Sequence, residues 1–532
     1  SREWMYYRST NELIPGFITY VNFVGHYTGD RMSEPGGGSE KFAMESYLGR
    51  ANYMYDNRYY VTASLRRDGS SKFKYNNTRW GTFWSVGGGW RLSGEEFMKP
   101  AENWLNNMKL RASYGVIGNQ NGVPTYATYQ TWGYGANYQE AVNGQGVPAS
   151  YNINPNAYVN EYLTWENNHT LDVGIDFDLF NIVHGTVDWY NRDNVNAIIN
   201  QPIAFSLGQN TIGRNSAKIR NRGFEVELGI DLIRKKDLAW TVSLNGTHYT
   251  TTMLLLPEGL GSALLNGNQL AGVSGWSASG SGGTDNIMLR GTGLPYFNSY
   301  LYHYAGVDQA TGLPLYYHKV TEDDHKNGMF ADTPVGQGVN TTNYSLADRY
   351  EQGDVLPKWI GGFNTTLMYK NFDFTAVLAY QLGGLFFRRD FMYFHYANEM
   401  QRDNGTIGIS EDLLHNTWTP TNTGAKFPMA MYNNGNGFGS GTMVGSGWTD
   451  MAQFSASYLS LKNVTLGYSL PQSLLKKTGI GNLRIFVEGD NLLLFSASSG
   501  IDPRMDLTGG FSVDNYVYPF LRTWSAGINI DF

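Results

Sequence analysis

The residues best suited to chemistry in this sequence are carboxylates spaced in even steps. Asp172, Asp176 and Asp178 interrupt LDVGIDFDL, and Glu225, Glu227 and Asp231 interrupt GFEVELGID. Two carboxyl groups held at a suitable separation can hydrolyse a glycoside, one as acid and the other as nucleophile or base. Even spacing, however, puts each set on one face of a strand, as residues of a solvated wall would be, and that reading is preferred. No nucleophile elbow, Walker sequence or HExxH accompanies them. No catalytic residue and no cofactor is assigned. Glu322-Asp323-Asp324-His325 offers oxygen ligands suited to a hard cation, but a solvated loop explains the run more simply, so no metal ligand is assigned. The glycine-rich run 280–283 lacks the strand-then-helix setting of a phosphate cradle.

Aromatic residues in the long irregular stretches offer a different chemistry. Trp132, Tyr134, Trp276, Tyr393, Tyr396 and Trp418 present flat apolar faces that could stack on sugar rings or pack against a partner protein. The competing account is that they brace long loops or form the interfacial girdle of a barrel. They are the candidate substrate-binding residues.

Composition narrows what could position such groups. The chain has 532 residues, 64 glycines, 37 tyrosines and no cysteine. A disulfide scaffold and a thiolate metal site are excluded. Charged residues make up 16%, low against the roughly 25% of soluble domains. A net charge of −7 argues against a nucleic-acid partner. No apolar run reaches the ~18 residues of a membrane helix.

Strict alternation of apolar and polar residues recurs along the chain. Leu171, Val173, Ile175, Phe177 and Leu179 alternate with polar or small neighbours, as do Phe224, Val226, Leu228 and Ile230. The last residues, WSAGINIDF, do the same and end on Phe532. Such segments are strands with one apolar and one polar face. They run about 10–16 residues, beyond the usual 5–6 of soluble strands and enough to cross a bilayer at a tilt. In YLSLKNVTLGYSL the alternation changes phase, which predicts a β-bulge near Lys462-Asn463. About 15 strands are expected, starting near 43, 58, 79, 107, 164, 182, 217, 238, 299, 314, 358, 372, 454, 482 and 517. Their connections alternate between short turns, such as Asp56-Asn57 and Phe180-Asn181, and long stretches such as 119–161 and 388–453. That alternation is the pattern of an outer-membrane β-barrel, with short periplasmic turns and long extracellular loops.

Several stretches carry more than this general pattern. ASLRRDGSSKF (63–73), RWGTFWSVGGGWRLSGEEFM (79–98), WLNNMKLRASYGVIGNQ (104–120), LTWENNHTLDVGIDFDLF (163–180), IRNRGFEVELG (219–229) and SASYLSLKNVTLGYSLP (455–471) occur in this order. Together they resemble the SusC/RagA family of TonB-dependent outer-membrane transporters. The resemblance implies an all-β transmembrane antiparallel barrel of about 22 strands around an N-terminal plug. It implies energy from a TonB complex reached through the plug, and a SusD-like lipoprotein that closes the barrel mouth as a lid. Pairs of transporter and lipoprotein could in turn dimerise. It also implies import of oligosaccharides or oligopeptides across the bacterial outer membrane. Phe532 resembles the signal read by the barrel-insertion machinery.

On this basis residues 1–41 are expected to be an extracellular loop segment and 42–532 the C-terminal part of the barrel. The plug and roughly seven first strands would then lie before Ser1. The expected function is import of glycan fragments without catalysis, with oligopeptide import as the alternative within the family. The rivals outside it are a passive porin or adhesin barrel, and a secreted β-rich carbohydrate-binding or hydrolytic protein.

Overall fold

The computed structural model describes residues 2–10, 37–74, 78–129, 132–134, 138–142, 145–147, 151–153, 159–204, 211–256, 263–265, 268–271, 288–388, 391, 410–430, 449–476, 479–498, 502–504 and 520–532. Its frame is one sheet of 14 strands. The strands are β1 (Arg2–Thr10), β2 (Gly37–Tyr55), β3 (Tyr59–Ser70), β4 (Trp80–Arg91) and β5 (Leu105–Asn119). They continue as β6 (Glu166–Leu179), β7 (Val183–Pro202), β8 (Thr211–Lys235), β9 (Leu238–Leu255) and β10 (Trp359–Tyr369). The last are β11 (Phe372–Leu382), β12 (Tyr458–Ser469), β13 (Asn482–Ser496) and β14 (Thr523–Asp531). Each pairs antiparallel with the next, in chain order. The fold is therefore all-β, and among the described residues no helix is long and apolar enough to cross a membrane.

The sheet corrects the strand inventory in two places. The segments near 299 and 314 lie outside it. Asn298–Tyr302 pairs with Arg349–Asp354, and Pro314–Lys319 pairs with Tyr304–Val307 and Gly338–Thr341, all within the connection between β9 and β10. Their alternation is real, but their partners are other loop segments. Conversely, Arg2–Thr10 falls in the stretch expected to be loop, yet it pairs with Gly37–Glu45 as β1. Trp4, Met5, Tyr6 and Tyr7 follow one another without alternation, so sequence period could not reveal it.

Register carries the alternation across the whole sheet. In one row, Tyr55, Tyr59, Trp90, Leu110, Ile175, Val187, Val226 and Gly246 face each other strand by strand. A second runs through Phe363, Leu378, Leu461 and Leu493. All lie on the same face, which is continuous and apolar. Leu65, Tyr53, Trp524 and Ile528 on it are each more than half exposed in the isolated chain. Such a face requires an apolar solvent.

The tightest turns, 56–58, 180–182, 236–237 and 370–371, all fall at one end of the sheet. In the β2–β3 and β6–β7 turns, Asp56 and Asn57, and Phe180 and Asn181, take left-handed backbone conformations. Arg58 N–H and Ile182 N–H close them onto the carbonyls of Tyr55 and Leu179. The long connections, including 256–358 and 383–457, fall at the other end. Phe532 follows β14 at the short-turn end.

The expected bulge is present. Between Ala376 and Leu378 on β11 the partner residues on β12 run from Val464 to Leu461, with Lys462 extra. Opposite them on β13, the pairing jumps from Gly489 to Leu493, and Asn491 there has a positive φ. The three strands thus advance by two, three and four residues over one stretch.

Candidate functional site

The polar face is built by the other parity of the same strands. Gly174 pairs with Arg111 on one side and with Asp188 on the other. Because Gly174 has no side chain, the Arg111 guanidinium reaches over it to Asp188, Nη2 to Oδ2 at 2.6 Å. Its Nε donates to Asp176 at 3.1 Å, and Nη1 lies 3.5 Å from Asp172. Thr186 donates to Asp176 as well. A second crossing repeats this arrangement. Arg484 on β13 reaches over Gly467 of β12 to Asp373 on β11, with Nε–Oδ1 at 2.9 Å. Asn463 donates to Glu488 and Asp490 at 2.5 and 2.8 Å. Glu225 and Glu227 stand exposed on this face. Asp172 and Asp176 thus serve as partners of one cation in a hydrogen-bonded wall.

At the long-connection end, connections 256–358 and 383–457 pack against each other. Leu301, Phe387, Phe391, Leu413, Phe427 and Ala452 form a buried cluster drawn from both. Asp450 accepts from the Tyr304 backbone N–H at 3.0 Å and lies 2.5 Å from His303 Nδ1. A second cluster, Phe73, Phe83, Val123, Leu163 and Trp165, joins the ends of β3 to β6. Arg504 is buried and bonds Asp502 through two nitrogens. It also donates to Ser460 at 2.7 Å and Asn491 at 3.4 Å, pinning the β13–β14 connection to the bulged stretch.

The acidic run 322–325 is used structurally. Glu322–Lys326 forms a one-turn helix capped by Thr321, whose hydroxyl accepts from Asp324 N–H. Asp324 in return accepts from the Thr321 N–H and hydroxyl, and lies 2.9 Å from Nε2 of the buried His318. These bonds hold the Asp324 carboxyl low, at about 2. Asp323 pairs with Lys326, and His325 bonds the Thr333 carbonyl. Among the described residues, no group of three or more His, Cys, Asp or Glu could hold a metal ion. His318 itself was not singled out by the sequence, because its partners depend on how the loop folds.

Of the loop aromatics, Trp418 is half-buried. Its indole N–H donates to the Gln309 carbonyl at 3.1 Å, and its ring covers Gly312, so it joins the two packed connections. Trp132 and Tyr134 lie in a short strand paired with Tyr151–Ile153. Trp276, Tyr393 and Tyr396 lie outside the described residues. Phe532 is almost wholly exposed at the chain end.

Residues 4–312, more than half of the chain, match the family model described as TonB dependent receptor-like, beta-barrel. The chain belongs to the TonB-dependent receptor β-barrel family. TonB-dependent receptor P3 of Formosa agariphila is 28% identical over 97% of this chain and 48% of its own length. TonB-dependent receptor SusC of Bacteroides thetaiotaomicron is 27% identical over 92% of this chain and 43% of its own length. Among solved structures, the RagAB peptide transporter superposes with a TM-score of 0.75 at 25% identity, over 95% of this chain and 49% of that one. These matches place the chain in the SusC/RagA type of the TonB-dependent receptor family. The chain spans about half the length of the curated relatives it matches.

Proposed function

We propose that this chain forms barrel wall in a TonB-dependent importer of oligosaccharide fragments, spanning the bacterial outer membrane with many strands. The carrying observation is the two-faced sheet, with a band of apolar residues across one side and hydrogen-bonded polar residues on the other, and with the longest connections at one end. In this reading the apolar face meets lipid, and the polar wall faces a plug through which the TonB complex acts. The packed connections at the other end receive a SusD-like lipoprotein lid. Phe532 serves as the assembly signal, and Trp132, Tyr134, Trp276, Tyr393, Tyr396 and Trp418 belong to the surface from which substrate contacts are drawn. No catalytic step is assigned to the chain. Likeness to receptors named for TonB favours energised import over a passive porin or adhesin.

A second reading, oligopeptide import, is favoured by the likeness to a structure named a peptide transporter. The test is to purify the protein from native outer membranes in mild detergent and identify what accompanies it. Uptake of labelled oligosaccharides and oligopeptides is then measured with and without an inner-membrane proton gradient. A co-purifying lipoprotein, with gradient-dependent oligosaccharide uptake, supports the reading. Gradient-dependent peptide uptake replaces the substrate class, and gradient-independent uptake sinks the importer. The mass of the extracted particle decides whether pairs of transporter and lipoprotein dimerise.

A further inference from the structure

We propose that the outward face of β7–β9, directly above the apolar band, binds the phosphate groups of an outer-leaflet glycolipid. This rests on the membrane reading just given. The register fixes the geometry. Trp189, Phe224, His248 and Trp359 occupy one row on the apolar face, with Phe224 and Trp359 edge to face at 5.1 Å between ring centroids. Two residues further toward the long-connection end, the same face carries Asn191, Arg222 and Thr250. The next row carries Asp193, Arg220 and Thr252, and Lys218 follows beside Val195. No register shift separates these rows from the apolar ones on β7 and β8, so the cations point where Trp189 and Phe224 point.

The height of the cations is set by strand length. On β8 the outward apolar residues run from Ile233 to Phe224. With Leu232 bulged out, the stretch spans the ladder from His248 to Trp240 on β9; at about 3.4 Å per residue and a tilt near 40° it rises roughly 21 Å, close to the ~25 Å apolar band of outer-membrane barrels. Arg222 therefore stands at the first level where hydrocarbon gives way to headgroups. Its neighbours on β7 and β9 at that level, Asn191 and Thr250, are neutral and polar, and the positive charge is concentrated on β8.

The charges are not cancelled. Arg220 bonds Asp193 through Nε at 2.7 Å and Nη2 at 2.8 Å, and Lys218 Nζ lies 3.1 Å from the same carboxylate. Asp193 offsets one of these charges and braces both side chains. Arg222 is exposed, and its backbone carbonyl accepts from the Thr250 hydroxyl at 3.4 Å. Three cations against one carboxylate leave two positive charges on a braced strip. A guanidinium forks naturally onto phosphate. The Thr252 hydroxyl, in the row of Arg220, adds a donor beside it.

The test uses the protein purified from native outer membranes, with bound glycolipid counted by mass spectrometry. Arg222→Ala should lower the retained phosphorylated glycolipid about fivefold, the equivalent of roughly 1 kcal/mol for one cation at an anionic lipid surface. Arg222→Glu should lower it further, and Arg222→Lys should restore part of it. Heat-dependent mobility on gels verifies that each variant is folded. Unchanged retention in folded Ala and Glu variants overturns the proposal. So does equal retention of glycolipid stripped of phosphate, or full displacement by millimolar inorganic phosphate. If the unsubstituted protein is not found in the outer membrane, the membrane reading falls and the proposal falls with it.

Discussion

Arg111 on β5 and Asp188 on β7 bond each other across Gly174 of the strand between them. Neither is adjacent to the other in the sheet, and the pair exists because the intervening position has no side chain. A Cβ on Gly174 would stand 2.2 Å from Asp188 Oδ1 and 2.6 Å from Arg111 Cζ. The same holds at Gly467, where a Cβ would meet Asp373 Oδ1 at 2.4 Å and Arg484 Nη2 at 2.5 Å.

Both contacts involve the far ends of movable side chains, so Gly174→Ala should open the ion pair while leaving the strand in place. The pair is partly solvated, so the expected loss is about 1 kcal/mol. Unfolding measured for Gly174→Ala, Asp188→Ala and the double variant tests this. The two effects should be non-additive; simple additivity would mean that the alanine leaves the pair intact.

Neighbouring residues on β8 should answer oppositely to charge. Leu228 faces outward between Gly185 and Leu244, and Glu227 faces the polar wall. Leu228→Arg should cost about 2–4 kcal/mol in lipid. Glu227→Arg should stay within about 0.5 kcal/mol. Folding into vesicles from urea provides the readout, and equal penalties would contradict the assignment of faces.

Acid should loosen the helix at 322–326 before the sheet responds. The Thr321 and His318 contacts hold the Asp324 carboxyl at about 2, below its ordinary value of 3.8. A carboxyl depressed by folding stabilises the folded loop above about pH 4. That contribution is lost as pH falls toward 2. The protection of the Asp324 and His325 amides, relative to unstructured chain at the same pH, should therefore fall in that window. Thr321→Ala should weaken the helix by about 1 kcal/mol at neutral pH and flatten the acid response. A response unchanged by that substitution would assign it to other groups.

Removal of Phe532 should lower the amount of folded protein in the outer membrane without changing the unfolding of the molecules that do assemble. The side chain is nearly free of contacts, so its deletion removes little packing. Comparing outer-membrane yield with unfolding midpoint separates the two effects. A shifted midpoint with normal yield would make Phe532 a structural residue rather than an address.

The frame was legible because strands with a lipid-facing side must alternate, and β6 and β14 do so without a break, as does β8 from Phe224 to Ile230. The bulge at Lys462 was legible for the same reason, since a change of phase in the alternation has few causes. β1 was hidden because its aromatic residues are consecutive. The loop strands at 298–302 and 314–319 alternate like barrel strands but find partners inside their own connection. Only the pattern of pairing could separate them. The crossings at Gly174 and Gly467 depend on the register of three strands at once, which no single segment records. The acidic run at 322–325 reads from sequence as solvated loop, and its helix and Thr321 cap escape notice because His318, which completes the contacts of Asp324, reaches it only once the loop is folded.

The unequal advance of β11, β12 and β13 around Lys462 has a geometric result. A fabric gathered more along one seam than the next cannot lie along a straight line, and a bulged strand bends and twists more strongly. The upper parts of β12 and β13 must therefore turn away from the line of β10 and β11. The rim has a corner there, and the buried Arg504, fastened to Ser460 on one strand and Asn491 on the next, is the rivet that holds it.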